Sequence, residues 1–145
     1  MIDRMVRIDD ARPEDAEVLW EFLQRFATSY RPTREAFDRD YPGLLDSVEV
    51  DLLVARFSGQ AAGYLLAHRV PTLFAGGPIL GIAELFVDEN LRGKGIGAAL
   101  VSAALERAWK AGCVEATVPT RRARGFYEAL GFEASADYLK LRRTT

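Results

Sequence analysis

The chain has 145 residues, 49% hydrophobic and 28% charged, with 19 basic and 21 acidic side chains that give a net charge of −2. We expect one globular domain, residues 1–145, that buries about 68–70% of the surface of its unfolded chain. The near balance of charge argues against nucleic acid as a partner, and no apolar stretch approaches the length of a membrane span. The single cysteine, Cys113, excludes an internal disulfide and, with the lack of a signal-like segment, indicates a cytoplasmic protein.

The first third of the chain predicts a strand followed by two helices. Residues 6–8 alternate like a short strand, and apolar residues at helical spacing predict an amphipathic helix over about residues 13–28. Thr33 can cap a second helix, which we expect Pro42 and Gly43 to end.

The middle of the chain predicts three strands. The apolar runs 51–56 and 60–69 are joined by residues 57–59 and indicate a hairpin. Residues 70–78 hold two prolines and two glycines, which is typical of a loop. The nearly continuous apolar run 79–87 then predicts a central strand covered on both faces.

The last third predicts a helix, a strand, a helix and a strand. An alanine-rich helix begins near residue 96, a strand covers 113–118, a short helix covers 122–130, and a strand at 138–141 closes the sheet. The order β-α-α-β-β-β-α-β-α-β predicts an α/β (mixed α+β) fold with a single central, mostly antiparallel sheet flanked by about four helices.

The sequence Arg-Gly-Lys-Gly-Ile-Gly at residues 92–97 lies between the central strand and the alanine-rich helix. Glycines at 93, 95 and 97 allow a positive φ and a close approach of the backbone to a ligand. The first amides of a helix lack internal partners, and the helix dipole favours anions there. With the charges of Arg92 and Lys94 beside those amides, the segment predicts a cradle for phosphate groups.

Two common phosphate-binding motifs fit this segment poorly. A P-loop is excluded because Gly95 follows Lys94 where a Ser or Thr should bind magnesium. Gly93, Gly95 and Ala98 fit the dinucleotide pattern G-x-G-x-x-A, with Glu115 about 20 residues further on. However, only 47 residues follow Ala98, too few for the rest of a doubly wound sheet. Dinucleotide binding is therefore kept as an alternative.

Two segments resemble the signatures of the GCN5-related N-acetyltransferase (GNAT) family. Arg92-x-x-Gly95-x-Gly97, after a strand that ends at Asp88, resembles the family's acyl-CoA-binding motif, and residues 123–132 are similar to its second signature, a helix that carries Phe-Tyr and ends in Gly-Phe. Residues 12–15 also resemble the family's start, so the resemblance spans nearly the whole chain. It implies a GNAT-like fold and an N-acetyltransferase that moves the acetyl group of acetyl-CoA to an amine of a small molecule or peptide within a ternary complex.

The resemblance also implies where acetyl-CoA binds. The pyrophosphate would rest on the backbone of residues 92–97, and the pantetheine arm would lie between strands 84–87 and 113–118. No metal is implied, because backbone dipoles neutralise the phosphates. Thr120 stands where the family often has an asparagine, which leaves the contacts on that side open. The implied cofactor-binding residues are Leu85, Phe86, Val87, Arg92, Gly93, Lys94, Gly95, Ile96, Gly97, Ala98, Thr120, Arg124 and Tyr127.

Glu84 and Tyr127 are the candidate catalytic residues. An amine with a pKa near 10.4 must lose a proton before it attacks, and Glu84, a carboxylate in an apolar strand, can accept that proton directly or through water. Alternatively, Glu84 points outward or binds a backbone amide at a strand irregularity. Tyr127 can protonate the leaving thiolate, the role that the tyrosine at this position often has in the resembled family. Alternatively, its ring only packs and its hydroxyl binds CoA.

The acceptor amine is left open by the sequence. The resemblance implies that its pocket is walled by residues 26–34, 70–78 and 133–138. The short tail after Phe132 leads us to expect a homodimer in which the second subunit completes that pocket. A non-catalytic acyl-CoA-binding sensor or module is the alternative to an enzyme.

Overall fold

Residues 5–144, the part of the chain that the computed structural model describes, form five β-strands and four α-helices. In chain order these are β1 (Val6–Asp10), α1 (Ala16–Phe26), α2 (Arg34–Asp46), β2 (Val50–Phe57), β3 (Gln60–Val70), β4 (Ile79–Val87), α3 (Ile96–Lys110), β5 (Glu115–Thr117) and α4 (Arg124–Ala129). The predicted domain range, 1–145, extends beyond the described residues at both ends. None of the helices described is long and apolar enough to cross a membrane.

The sheet is mixed and mostly antiparallel, which confirms the predicted fold class. Its strands lie in the order β1-β2-β3-β4-β5, and only the pair β4–β5 is parallel. Helix α3 makes the crossover that a parallel pair requires. A sheet of this topology is not doubly wound, which argues against the dinucleotide-binding alternative.

The sheet is covered on both faces, which explains why β2, β3 and β4 are nearly continuous apolar runs. On one face, Leu53 of β2 and Leu65 of β3 pack with Leu100 of α3 in a first core. On the other face, Leu52 packs with Phe22 of α1 in a second core that also contains residues of α2. Successive side chains of β2 therefore enter different cores, and no face of the central strands is left to water.

A β-bulge in β4 changes which residues face each core. Ile82 pairs with Ala67 of β3, but Glu84 pairs with Leu66, so Ala83 is one extra residue without a partner. Before the bulge, Ile82 packs in the core on the α3 face. After it, the alternation is displaced by one residue, and Glu84 turns toward α1 and α2.

Strands β4 and β5 separate soon after they meet. They pair only at three positions, from Ile79 with Glu115 to Gly81 with Thr117. Pro119 follows two residues after β5, and a proline has no amide hydrogen to donate to a ladder. Beyond Gly81, β4 has a strand partner on one side only, so alternate backbone groups of its second half face a gap.

Helix α2 is longer than the sequence predicts. Pro42 lies inside the helix, which runs on to Asp46. The proline removes one internal hydrogen bond, a cost of about 3 kcal/mol in a helix interior. Burial of the side chain before it offsets this cost, because Tyr41 packs in the second core and donates a hydrogen bond of 2.7 Å from its hydroxyl to the carbonyl of Arg12. The prediction that Pro42 and Gly43 end the helix is therefore wrong.

The predicted last strand, residues 138–141, does not form among the described residues. This tail is extended and exposed instead, and its cations lie against the segment after α1. Lys140 Nζ donates to the Tyr30 hydroxyl at 3.1 Å, and the Arg142 guanidinium lies 4.6 Å from the centre of the Tyr30 ring. The physical reason is that a strand needs a paired edge, and these contacts draw the tail toward the loop between α1 and α2 instead.

Candidate active site

The segment that the sequence predicts to be an anion cradle lies between β4 and α3. Gly93 and Gly95 both have φ of 81°, and Gly95 is the N-cap of α3. The amide of Ala99 makes a helical hydrogen bond of 3.0 Å to the carbonyl of Gly95. The three amides before it, at residues 96–98, lie in the first turn and have no partner within the helix. They supply the donors and the positive end of the helix dipole.

Gly97 is required for a different reason from the other two glycines. Its φ is not positive, so of the three glycines that allow this conformation only Gly93 and Gly95 adopt it. A Cβ at this position would lie 3.3 Å from the Phe126 ring of α4 and 3.6 Å from the Val87 side chain. Gly97 thus lets α4 approach the start of α3, so the helix that carries Arg124 and Tyr127 lies beside the cradle.

Two cations border the cradle. Arg92 Nε donates to the carbonyl of Val87 at 3.2 Å, and Lys94 Nζ lies 5.6 Å from the centre of the Phe57 ring. Neither side chain has a salt bridge to a carboxylate among residues 5–144. Their charges are therefore not neutralised within the described part of the chain and can act on an anion at the amides of α3.

One alternative to a catalytic role requires Glu84 to point outward. Its side chain does not point outward. It is half-buried, and its carboxylate accepts a hydrogen bond of 2.8 Å from the hydroxyl of Tyr64 on β3. Burial of Tyr64, followed by the negative charge of Glu84, raises the pKa of that phenol well above its usual value near 10. Tyr64 therefore remains protonated and holds one carboxylate oxygen of Glu84 in a fixed position.

Tyr127 is buried to 6% exposure between the rings of Phe126 and Phe132, whose centres lie 4.9 and 5.4 Å away. Burial raises the pKa of this phenol, so it carries its proton at neutral pH. Among the described residues, the Tyr127 hydroxyl has no hydrogen-bond partner. Every fully buried side-chain oxygen in the described part of the chain has a partner, so the hydroxyl oxygen of Tyr127 is not fully buried. The ring is thus enclosed while the hydroxyl reaches accessible space.

Thr120 and Arg124 already make local contacts. The Thr120 oxygen accepts from the amide of Ala123 at 3.0 Å and so supports the start of α4. Arg124 lies on the exposed surface of α4 and pairs with Glu128 one turn later at 3.1 Å. Both residues stay exposed, and the proton of the Thr120 hydroxyl is not used in the bond to Ala123.

A cavity of about 230 Å³ lies between α1, α2 and the sheet, with Glu84 and Tyr64 in its wall. Of the predicted acceptor walls, only the first contributes, through Pro32 and Thr33, whereas 70–78 and 133–138 do not line the cavity. Tyr64 and the apolar residues of α1 and α2 are not predicted as site residues from the sequence, because helical apolar spacing also indicates ordinary core. The one available signal was a phenol within the apolar run 61–67 of β3. Within residues 5–144, no group of three or more His, Cys, Asp or Glu is arranged to hold a metal ion.

Comparisons with known proteins agree with this architecture. A model of the acetyltransferase (GNAT) family matches residues 16–132. No curated protein matches the sequence.

Three solved structures illustrate the similarity of fold. A protein from Bacillus halodurans C-125 described as a transcriptional regulator is 28% identical, with a TM-score of 0.84 over 95% of this chain and 99% of its own. A putative acetyltransferase from Agrobacterium tumefaciens is 26% identical, with a TM-score of 0.83 over 94% of this chain and 99% of its own. An aminoglycoside N-acetyltransferase in complex with CoA is 19% identical, with a TM-score of 0.83 over 97% and 95%.

Proposed function

This chain belongs to the acetyltransferase (GNAT) family, and from that premise we propose that it transfers the acetyl group of acetyl-CoA to an amine held beside Glu84. One observation carries the proposal: a single strand, β4, connects the three parts that such a reaction needs. Its second half borders the gap toward β5, its bulge turns Glu84 into the cavity, and its end leads into the anion cradle.

Acetyl-CoA fits the chemistry of these parts. Its pyrophosphate matches the amides of residues 96–98 and the cations Arg92 and Lys94. Its pantetheine arm is extended and carries amides, so it can hydrogen-bond to the unpaired backbone groups of residues 85–87 as a strand would. When bound, acetyl-CoA supplies an activated acetyl thioester. We propose the same set of cofactor-binding residues as the sequence predicts, with Thr120 donating through its free hydroxyl proton.

Glu84 prepares the amine. At pH 7, deprotonation of an alkylammonium with a pKa near 10.4 costs about 4–5 kcal/mol. Glu84 lines the cavity, and its carboxylate oxygen that Tyr64 does not hold takes the proton, directly or through one water. Tyr64 is a positioning residue, because it restricts the rotation of that carboxylate.

Tyr127 completes the proton transfers. The thiolate that leaves must be protonated or stabilised, and the Tyr127 hydroxyl retains its proton because burial raises its pKa. The ring contacts with Phe126 and Phe132 fix the direction of the hydroxyl. We propose that Tyr127 donates this proton to the sulfur atom as the tetrahedral centre collapses.

The test is thiol release from acetyl-CoA with a panel of amines, together with calorimetric titration of CoA. Glu84→Gln and Tyr127→Phe are each expected to lower kcat/KM by about 10²- to 10⁴-fold, and Glu84→Gln is expected to leave the CoA affinity within about twofold. Glu115→Gln, a change of an exposed carboxylate on β5, is the control and is expected to retain wild-type rates. CoA binding by the wild type without turnover of any amine would support the non-catalytic module instead.

A further inference from the structure

The polar groups around the cavity at Glu84 are already bonded within the protein. The Thr33 oxygen accepts from the amide of Ala36 at 3.2 Å, and the Tyr41 hydroxyl donates to a backbone carbonyl. Asp40 pairs with Arg39 through two hydrogen bonds of 3.0 and 3.1 Å. The wall therefore offers a ligand very few free donors or acceptors.

Two groups of the described wall are left without a partner: the hydroxyl proton of Thr33 and one carboxylate oxygen of Glu84. Tyr64 donates to Oε1 of Glu84, and Oε2 has no side-chain partner among the described residues. The rest of the wall is hydrocarbon, contributed by α1, α2 and the sheet: Leu19, Leu23, Ala36, Phe37, Leu52 and Leu66. One carboxylate oxygen at the edge of an apolar chamber matches a ligand with one ammonium group and an apolar body.

The size of the chamber restricts that body. An apolar cavity of about 150 Å³ is large enough for benzene. At about 230 Å³, this cavity accommodates one ring with a short linker, and most of an oligosaccharide would lie outside it. A sugar would also bury hydroxyl groups that find no partner in this wall, and an unpaired buried hydroxyl weakens binding.

Charge argues against a polyamine. A second ammonium group would need a second free carboxylate, and the other acidic side chain of the wall, Asp40, is paired with Arg39. On the neighbouring turns of α1 and α2, Glu17 and Asp38 each form a salt bridge with Arg34.

We infer that the acceptor is a small primary amine that carries a single aryl or branched alkyl group, with the amine at Glu84 and the apolar group in the chamber of α1 and α2. That the bound amine is acetylated rests on the proposed function, whereas the preference for an apolar amine follows from the chamber alone.

The first experiment compares 2-phenylethylamine with putrescine and glucosamine at saturating acetyl-CoA, measured as thiol release. The expected kcat/KM for 2-phenylethylamine is at least tenfold higher than for either polar amine. Equal values, or a preference for a polar amine, would overturn the inference while leaving acetyl transfer intact.

The second experiment fills the chamber. Ala36→Phe adds a ring to its wall, whereas the control Gln24→Phe adds the same ring at an exposed position of α1 outside the cavity. Ala36→Phe is expected to lower kcat/KM for 2-phenylethylamine at least tenfold, and Gln24→Phe less than twofold. If Ala36→Phe fails to fold by circular dichroism, Leu23→Gln replaces it, with an expected loss of at least threefold. Equal losses in the cavity variant and the control would refute the placement.

Binding separates this inference from the proposed function. Should no amine release thiol, acetyl transfer fails, and calorimetric titration of 2-phenylethylamine into the wild type and both variants still decides the inference. Saturable binding that is lost in the cavity variant and kept in Gln24→Phe would support the apolar-amine site. A wild type that binds putrescine but not 2-phenylethylamine, or neither amine, would overturn it.

Discussion

Gly95→Ala isolates the part that backbone conformation plays in the anion cradle. Gly95 has φ of 81°, and an added Cβ would meet nothing within 4 Å. The substitution therefore causes no clash, and its cost is the left-handed conformation itself, about 1–2 kcal/mol for an L-residue. The chain can relieve this strain by rotating the peptide, which turns the first amides of α3 away from their common direction.

The expected effect on CoA follows from the hydrogen bonds lost. One bond to a charged group contributes about 1.5–3 kcal/mol, which corresponds to about a 10- to 150-fold increase in the Kd for CoA. Gly59→Ala is the matched control, because Gly59 has φ of 85° and the same open surroundings but lies in the turn between β2 and β3. Both variants should lose similar free energy of unfolding in urea, and only Gly95→Ala should lose CoA affinity in calorimetric titration.

Two outcomes would contradict this argument. A Kd for CoA within twofold of wild type in Gly95→Ala, despite the loss of stability, would mean that the amides of α3 do not bind the ligand. A similar loss of affinity in both variants would mean that general destabilisation, and not the cradle, controls binding.

Three further predictions concern stability and assembly. Burial raises the pKa of Tyr41 to about 12, whereas the pKa of an unfolded tyrosine is near 10. The free energy that this shift contributes to folding is therefore present below pH 10 and is lost as the pH rises from 10 to 12. In urea unfolding, the wild type should lose roughly 2 kcal/mol more than Tyr41→Phe over that pH range. Arg56→Ala leaves the buried carboxylate of Asp15 without its partner at 3.0 Å and should cost about 3 kcal/mol in the same assay, and a loss below 1 kcal/mol would refute a structural role for the pair. We expect a homodimer by light scattering, against 16.1 kDa for the monomer, and a monomer after deletion of residues 137–145; a monomeric full-length chain would contradict this.

The cradle could be predicted from the sequence because its determinants are local. A left-handed residue before a helix depends on the absence of a Cβ, and Gly93 and Gly95 have that property in any context. The same is true of the hairpin between β2 and β3, where Ser58 and Gly59 both adopt positive φ, and of the cap that Thr33 provides to α2. These features follow from covalent geometry and from hydrogen bonds that span a few residues.

The surroundings of Glu84, the proposed base, could be predicted only in part. An isolated carboxylate in an apolar strand identified Glu84 as unusual, but its direction depends on the extra residue Ala83. A bulge is a property of two strands in register, and the pairing of β3 with β4 is not encoded by the alternation of either strand alone. Tyr64 meets Glu84 across that pairing, 20 residues apart in the chain.

Sequence by itself thus determined most of the elements, the glycine-rich entry into α3 and the choice of Glu84 as a candidate, since these depend on short-range geometry and on which side chains are chemically out of place. Tertiary structure decided how far α2 continues past Pro42, where β4 and β5 separate, and that the tail at residues 138–141 lies against Tyr30. It also decided the shape of the cavity beside Glu84. The physical reason is that each of these features depends on two contributions: the conformational preference of the local sequence, and burial or pairing with residues that are distant in the chain. At each of them, the contribution from distant residues is larger.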